Sequence, residues 1–153
     1  DATRYILLRH IHPFEDSDLT WEKMDEWYTA NLVNGLGNLV ARIMKLSESY
    51  VKGSTDWDTH GYAFTGYPKE KFEEFRLDLV TDYAWDKIAE LDGEIQTTKP
   101  WETKDEEVIR NLSLKLYRIG KLIAPFMPDT SRNILKTIKD NRKPENLFNR
   151  LDD

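Results

Sequence analysis

The sequence predicts an all-α protein, a helical bundle of three long and two short helices. Apolar residues recur at three-and-four spacing over three long stretches, which lines them along one face of a helix. No stretch alternates apolar and polar residues as a half-buried strand does. The stretches are separated by prolines, glycines and short polar runs, and connections that short make neighbouring helices antiparallel.

The elements follow in order. Asp1 is placed to cap a short helix over 2–9, with Tyr5, Leu8 and Ile11 on its buried side and Pro13 ending it. The acidic residues Glu15, Asp16 and Asp18 lead to Thr20, an N-cap for a helix from Trp21 to about Tyr50. Its expected core positions are Trp21, Met24, Trp27 or Tyr28, Leu32, Leu36, Leu39 or Val40, Ile43, and Leu46 or Ser47, with a kink near Gly35-Leu36-Gly37. Residues 51–67 hold three glycines and no helical period, and read as a loop with anchoring aromatics.

Pro68 suits the first turn of a second long helix reaching about Ile95, with Phe72, Phe75, Leu79, Tyr83, Ile88, Leu91 and Ile95 inward. Residues 96–102 break the pattern, since Pro100 disfavours helix at Lys99. A third long helix is expected from Lys104 to Ala124, with Val108 or Ile109, Leu112, Leu116, Ile119 and Ile123 inward, closed by Pro125 and Pro128. A short helix from Asp129 to Ile138 precedes a polar tail.

The 153 residues suit one domain, 1–153, with a real core, and 33% charged against 39% hydrophobic residues is a globular balance. There is no cysteine, and no apolar run approaches the ~18 residues of a membrane span, so an intracellular, cytoplasmic protein with no membrane partner is expected. The net charge of −6 argues against a protein that grips nucleic acid mainly by its phosphates, but leaves room for one that reads a few exposed bases. No Gly-rich phosphate loop, Gly-x-Ser-x-Gly or His-Glu-x-x-His is present, so no catalytic residue is assigned. His10 and His12 have no third ligand nearby and no metal site is assigned; Asp78 and Asp82, one turn apart, read as a solvated face.

One stretch breaks a local rule. Leu32, Leu36, Leu39, Val40 and Ile43 form a core face, while Asn31, Gly35, Asn38 and Arg42 fall on a separate stripe. Three Asn and two Gly between positions 31 and 38 cost roughly 3–4 kcal/mol of helix propensity relative to alanine. Two explanations stand open: the glycines admit a close backbone crossing with the polar residues facing water, or Asn38 and Arg42, one turn apart, present hydrogen-bonding groups to a ligand.

The motifs then meet a known pattern. Asp1-Ala2-Thr3-Arg4-Tyr5-Ile6-Leu7-Leu8 resembles the segment that follows the catalytic domain in class I aminoacyl-tRNA synthetases, and Ile123-Ala124-Pro125-Phe126-Met127-Pro128-Asp129-Thr130 resembles another segment shared across that class. Asp16-Ser17-Asp18-Leu19-Thr20-Trp21-Glu22, Leu36-Gly37-Asn38-Leu39-Val40-Ala41-Arg42, Lys99-Pro100-Trp101-Glu102 and Pro144-Glu145-Asn146-Leu147-Phe148-Asn149-Arg150-Leu151 are similar to motifs of methionyl-tRNA synthetase, in that family's order. Asn149 stands where the family usually has proline, and the segment between the first two long helices is shorter and more aromatic than the family's. The class signatures His-x-Gly-His and Lys-Met-Ser-Lys-Ser are absent, so this chain by itself does not activate methionine.

The resemblance implies an anticodon-binding bundle, a C-terminal fragment of a longer enzyme that attaches methionine to tRNA with ATP; the fragment itself needs no cofactor. It implies that Asn38 and Arg42 read bases of a CAU anticodon and that Trp101 stacks on one of them, with Tyr5, Ile6 and Leu8 docking the parent's catalytic domain. The residue chemistry suits these roles: Asn offers a donor and an acceptor, Arg a rigid fork of donors, and an exposed Trp a stacking platform. Two alternatives are a helical protein–protein interaction module derived from a synthetase, and the corresponding domain of a leucyl-, valyl- or isoleucyl-tRNA synthetase.

Overall fold

The helix Glu106–Leu122 (α7) lies at the centre of the bundle, packed against three others. Asp105 starts it, its carboxylate accepting the backbone N–H groups of Glu107 and Val108 at 2.9 and 3.2 Å. Its apolar stripe, Ile109, Leu112, Leu116 and Ile119, is buried as the spacing requires. Around it stand α3 (Asn38–Tyr50), α5 (Leu77–Thr98) and α8 (Pro128–Lys139), while α1 (Ala2–His10) packs on α5. The remaining helices are α2 (Trp21–Trp27), α4 (Tyr67–Glu73) and α6 (Pro100–Thr103). The computed structural model describes residues 1–53, 57 and 64–151; among them there is no strand, so the all-α bundle stands. No helix of the described residues is long and apolar enough to cross a membrane.

Between α2 and α3 the chain stays helical without a break but widens into a π-helical segment, Tyr28–Gly37. The kink expected at Gly35-Leu36-Gly37 is this segment's end: the Asn38 N–H reaches back five residues to the Val33 carbonyl. Thr20 caps α2 as its residue type predicts, accepting from the Lys23 N–H at 3.3 Å. Trp21, expected in the core, is 77% exposed. It is the first residue of its helix and projects before the bundle closes around it.

The second long helix is two helices. The chain leaves α4 through Phe75, whose φ of 59° is left-handed, and the Arg76 N–H bonds back to the Lys71 carbonyl at 2.9 Å. That is a helix end of the kind glycine usually makes, built here on phenylalanine. The break resets the helical phase. Val80, Ala84 and Trp85 become the buried face at the start of α5, Leu79 and Tyr83 are only partly buried, and Phe75, expected inward, is 78% exposed. The break at Pro100 is real, with Lys99 at a φ of 44°.

Three other expectations change. Asp1 does not cap its own helix; its carboxylate accepts the Thr130 N–H at 2.7 Å and so caps α8 from across the molecule. Asp78 is buried and paired with Arg76 at 2.6 Å, which holds its carboxyl below the usual range, so it departs from the expected solvated face, whereas Asp82 is exposed as expected and pairs with Arg9 at 2.9 Å. Tyr5 and Ile6 lie in this bundle's own core, Tyr5 stacked on Trp85 at 4.1 Å, so they form no outward docking face. Of the loop 51–67, Trp57 is buried against Tyr117 and Phe64 meets Phe72 edge-on, which fits anchoring aromatics; 54–56 and 58–63 lie outside the described residues.

Candidate nucleic-acid interface

The Asn/Gly-rich stretch builds one wall of a groove. Asn31, Asn34, Gly35, Asn38 and Arg42 line it along the π segment and α3, and Trp85, Ile88, Ala89 and Asp92 line it from α5. The space between is about 320 Å³, floored by Leu39, Trp85 and Ile88. The stripe read from the sequence is therefore one continuous surface. Asn38 is exposed, and its amide has no protein partner among the described residues.

Arg42 bridges the groove: its Nη1 lies 2.6 Å from Asp92 Oδ1, with the two side chains 39% and 48% exposed. One nitrogen of the fork is engaged, which tethers the guanidinium at the groove and leaves other donors to face a ligand.

The glycines serve the backbone of the same wall. A Cβ on Gly35 would sit 3.2 Å from the Ala30 carbonyl, and one on Gly37 would sit 3.0 Å from the Leu32 carbonyl and 3.4 Å from the Phe148 ring. The close approach that glycine admits is thus to the carbonyls of its own widened turn and to the C-terminal tail, not to a crossing helix.

Trp101 stands on a different element. Lys99 turns left-handed, Pro100 is buried as the first residue of α6, and Trp101 is carried outward at 41% exposure. Trp101 comes nine residues after Asp92, past the end of α5, and does not line the groove. The structure brings Asn38 and Arg42 into one groove and leaves Trp101 outside its lining, on a separate helix.

The tail after α8 supplies a wall that sequence reasoning missed. It runs back along α3 and the π segment. The Lys143 N–H donates to Glu48 Oε2 at 3.3 Å, Phe148 packs at Gly37 and meets Tyr28 edge-on, and the Tyr28 hydroxyl donates to the Asn149 carbonyl at 2.7 Å. A second cleft of about 410 Å³ lies under this strap, lined by Val33, Gly37, Asn38 and Ala41, so Asn38 stands on the ridge between two clefts. The apolar pair Leu147-Phe148 in an otherwise polar tail was the available signal.

His10 stacks flat on Trp27 at 4.0 Å, and burial, helped by the neighbouring Arg9 cation, lowers its imidazole to about 4. His12 accepts the Phe14 N–H through Nδ1 at 3.3 Å.

A family model described as tRNA synthetases class I (M) matches residues 1–44. The methionine–tRNA ligase of Thermotoga maritima is 28% identical over 94% of this chain and 26% of its own length. Those of Caldanaerobacter subterraneus and Bacillus mycoides are 31% and 27% identical over 90% and 99% of this chain. The chain spans about a quarter to a third of the length of these relatives. Among solved structures, the free form of Mycobacterium tuberculosis methionyl-tRNA synthetase superposes with a TM-score of 0.78 over 99% of this chain and 39% of that one, at 17% identity, a likeness of fold. Sequence motifs and relatives agree: over nearly its whole length the chain is related to the methionine–tRNA ligases, and it corresponds to their C-terminal portion.

Proposed function

We propose that residues 1–153 form the anticodon-recognition domain of a methionine–tRNA ligase. One observation carries the reading: Asn38 and Arg42 share a groove with unused hydrogen-bonding capacity, and Trp101 is exposed on the helix that follows α5. Asn38 and Arg42 would read base edges of a CAU anticodon while Trp101 stacks on a base; stacking and edge contacts of this kind suit a chain of net charge −6 better than a broad phosphate grip. The parent enzyme would bind ATP and attach methionine to its tRNA in the cytoplasm, with the ATP chemistry outside this chain. Its catalytic domain would dock near the N-terminal end, where Leu7, Phe14 and Trp21 are exposed apolar side chains, rather than on the buried Tyr5 and Ile6.

In the full-length ligase, Asn38→Ala and Arg42→Ala should raise KM for tRNA or lower kcat with tRNA, while methionine-dependent pyrophosphate exchange stays near wild type. Unchanged KM and kcat for tRNA, or a loss of pyrophosphate exchange that accounts for the whole defect, would overturn the reading. A protein-interaction module remains the competing use of the same bundle, favoured by the exposed Phe75 and Trp21, and it predicts no base discrimination at all.

A further inference from the structure

This acidic chain carries a basic stretch in its last helix and the turn that follows. Residues 132–143 hold five basic side chains, Arg132, Lys136, Lys139, Arg142 and Lys143, against one acidic, Asp140. The ordinary explanation is that cations near a helix C-terminus complement its dipole, and it serves for Lys136 and Lys139, with Lys136 also paired to Asp140. It does not serve for Arg142 and Lys143. Both lie past the end of α8, both are exposed, and neither side chain is in an ion pair among the described residues.

The turn that presents them is held rigidly. Asn141 sits left-handed at a φ of 46°; the Ser47 hydroxyl donates to its Oδ1 at 2.6 Å, and its Nδ2 donates to the Val51 carbonyl at 3.3 Å. The turn is thereby pinned to the end of α3, the helix that carries Asn38 and Arg42. Arg142 and Lys143 line a cleft of about 350 Å³ that shares Pro144, Asn146 and Leu147 with the cleft bordering Asn38. From Asn38 to Ser47 is nine residues, roughly 14 Å along α3, or on the order of four steps of nucleic-acid strand at about 3.4 Å each.

We infer that the Arg142-Lys143 turn grips backbone phosphates of the RNA whose bases enter the Asn38/Arg42 groove. The inference rests on the anticodon-reading proposal and adds to it a site that fixes the strand without reading its sequence. The cleft beside the two unpaired cations joins the cleft under the strap, and Asn38 is the ridge between that cleft and the groove, so a strand that lays its phosphates at the turn reaches the groove over Asn38.

The test is the affinity of this chain for an RNA hairpin with a CAU loop, and for one with the C replaced, measured over a range of salt. In the double variant Arg142→Gln, Lys143→Gln, the slope of log affinity against log salt should shrink by about 1–2, with the same fold-loss for both hairpins. A control of equal charge change, Lys69→Gln with Lys87→Gln, whose lysines are held by Glu73 and Glu90, should leave the slope unchanged. Thermal melting checks that both variants fold. An unchanged slope in the Arg142/Lys143 variant, with CAU preference intact in the wild type, overturns this inference alone. Equal slope changes in the two variants also overturn it, as general charge. Binding of neither hairpin by the wild type overturns the anticodon reading and this inference with it.

Discussion

Arg42 and Asp92 form the one ion pair that crosses from α3 to α5 among the described residues, 2.6 Å apart at the mouth of the candidate groove. Half-exposed pairs of this kind contribute about 0–1 kcal/mol to stability, so its value to the fold is small. Its consequence is placement: the carboxylate tethers a fork of which only Nη1 is used. Asp92→Asn should leave the melting temperature within about 2 °C of wild type, yet weaken a CAU hairpin about 3–10-fold, or roughly 0.6–1.4 kcal/mol. A melting temperature lowered by many degrees with unchanged RNA affinity would show the pair to be a structural strut.

Two of the helical glycines, tested against each other, separate geometry from propensity. Gly37→Ala places a methyl 3.0 Å from the Leu32 carbonyl and against Phe148, and should destabilise by about 1–2 kcal/mol despite alanine's better helix propensity. Gly93→Ala, on α5 with nothing within 4 Å, should stabilise by about 0.5–1 kcal/mol. Denaturant unfolding of the two variants measures both signs.

This contrast shows how much could be read ahead of the structure. The groove wall was legible because Asn31, Gly35, Asn38 and Arg42 break a local rule at helical spacing, and a residue set that weakens its own helix announces another demand. The split of the second helix was not, because the left-handed turn is made by Phe75, a residue that gives no signal for it. The helical phase assigned to Leu79 and Tyr83 was carried across that unseen break. Asp1 was correctly read as a capping residue but assigned to the wrong helix, since its partner, Thr130, is 129 positions away and only the fold brings it near. The tail wall was missed for the same reason: Phe148 meets Gly37 only after the chain has turned past Asn141.

His10 makes the fold sensitive to mild acid. Its folded value of about 4 lies below the ordinary 6.5, so the unfolded chain takes up a proton first as pH falls. The stability tied to the neutral, stacked ring is complete above about 6.5 and is lost progressively toward 4. Because the ring is only partly buried, the loss between pH 7 and 5 should be on the order of 1 kcal/mol. Asp78 and Glu106, held below the usual carboxylate range by Arg76 and Arg110, lose their contributions only at lower pH. Melting curves at pH 7, 6 and 5 should therefore descend in wild type and stay level in His10→Phe; parallel descent of the two would remove His10 as the cause.

Whether this bundle reads an anticodon is decided by a fluorescence titration of the chain with CAU-loop and C-replaced RNA hairpins. Trp101 is one of five tryptophans and is 41% exposed, so the signal is the difference between wild type and Trp101→Ala. The predicted result is quenching that favours the CAU loop and disappears in Trp101→Ala, with affinity lowered by about 1–3 kcal/mol and melting unchanged. Equal quenching by both hairpins, or quenching that survives in Trp101→Ala with full CAU preference, would show that the bundle does not read the anticodon through Trp101.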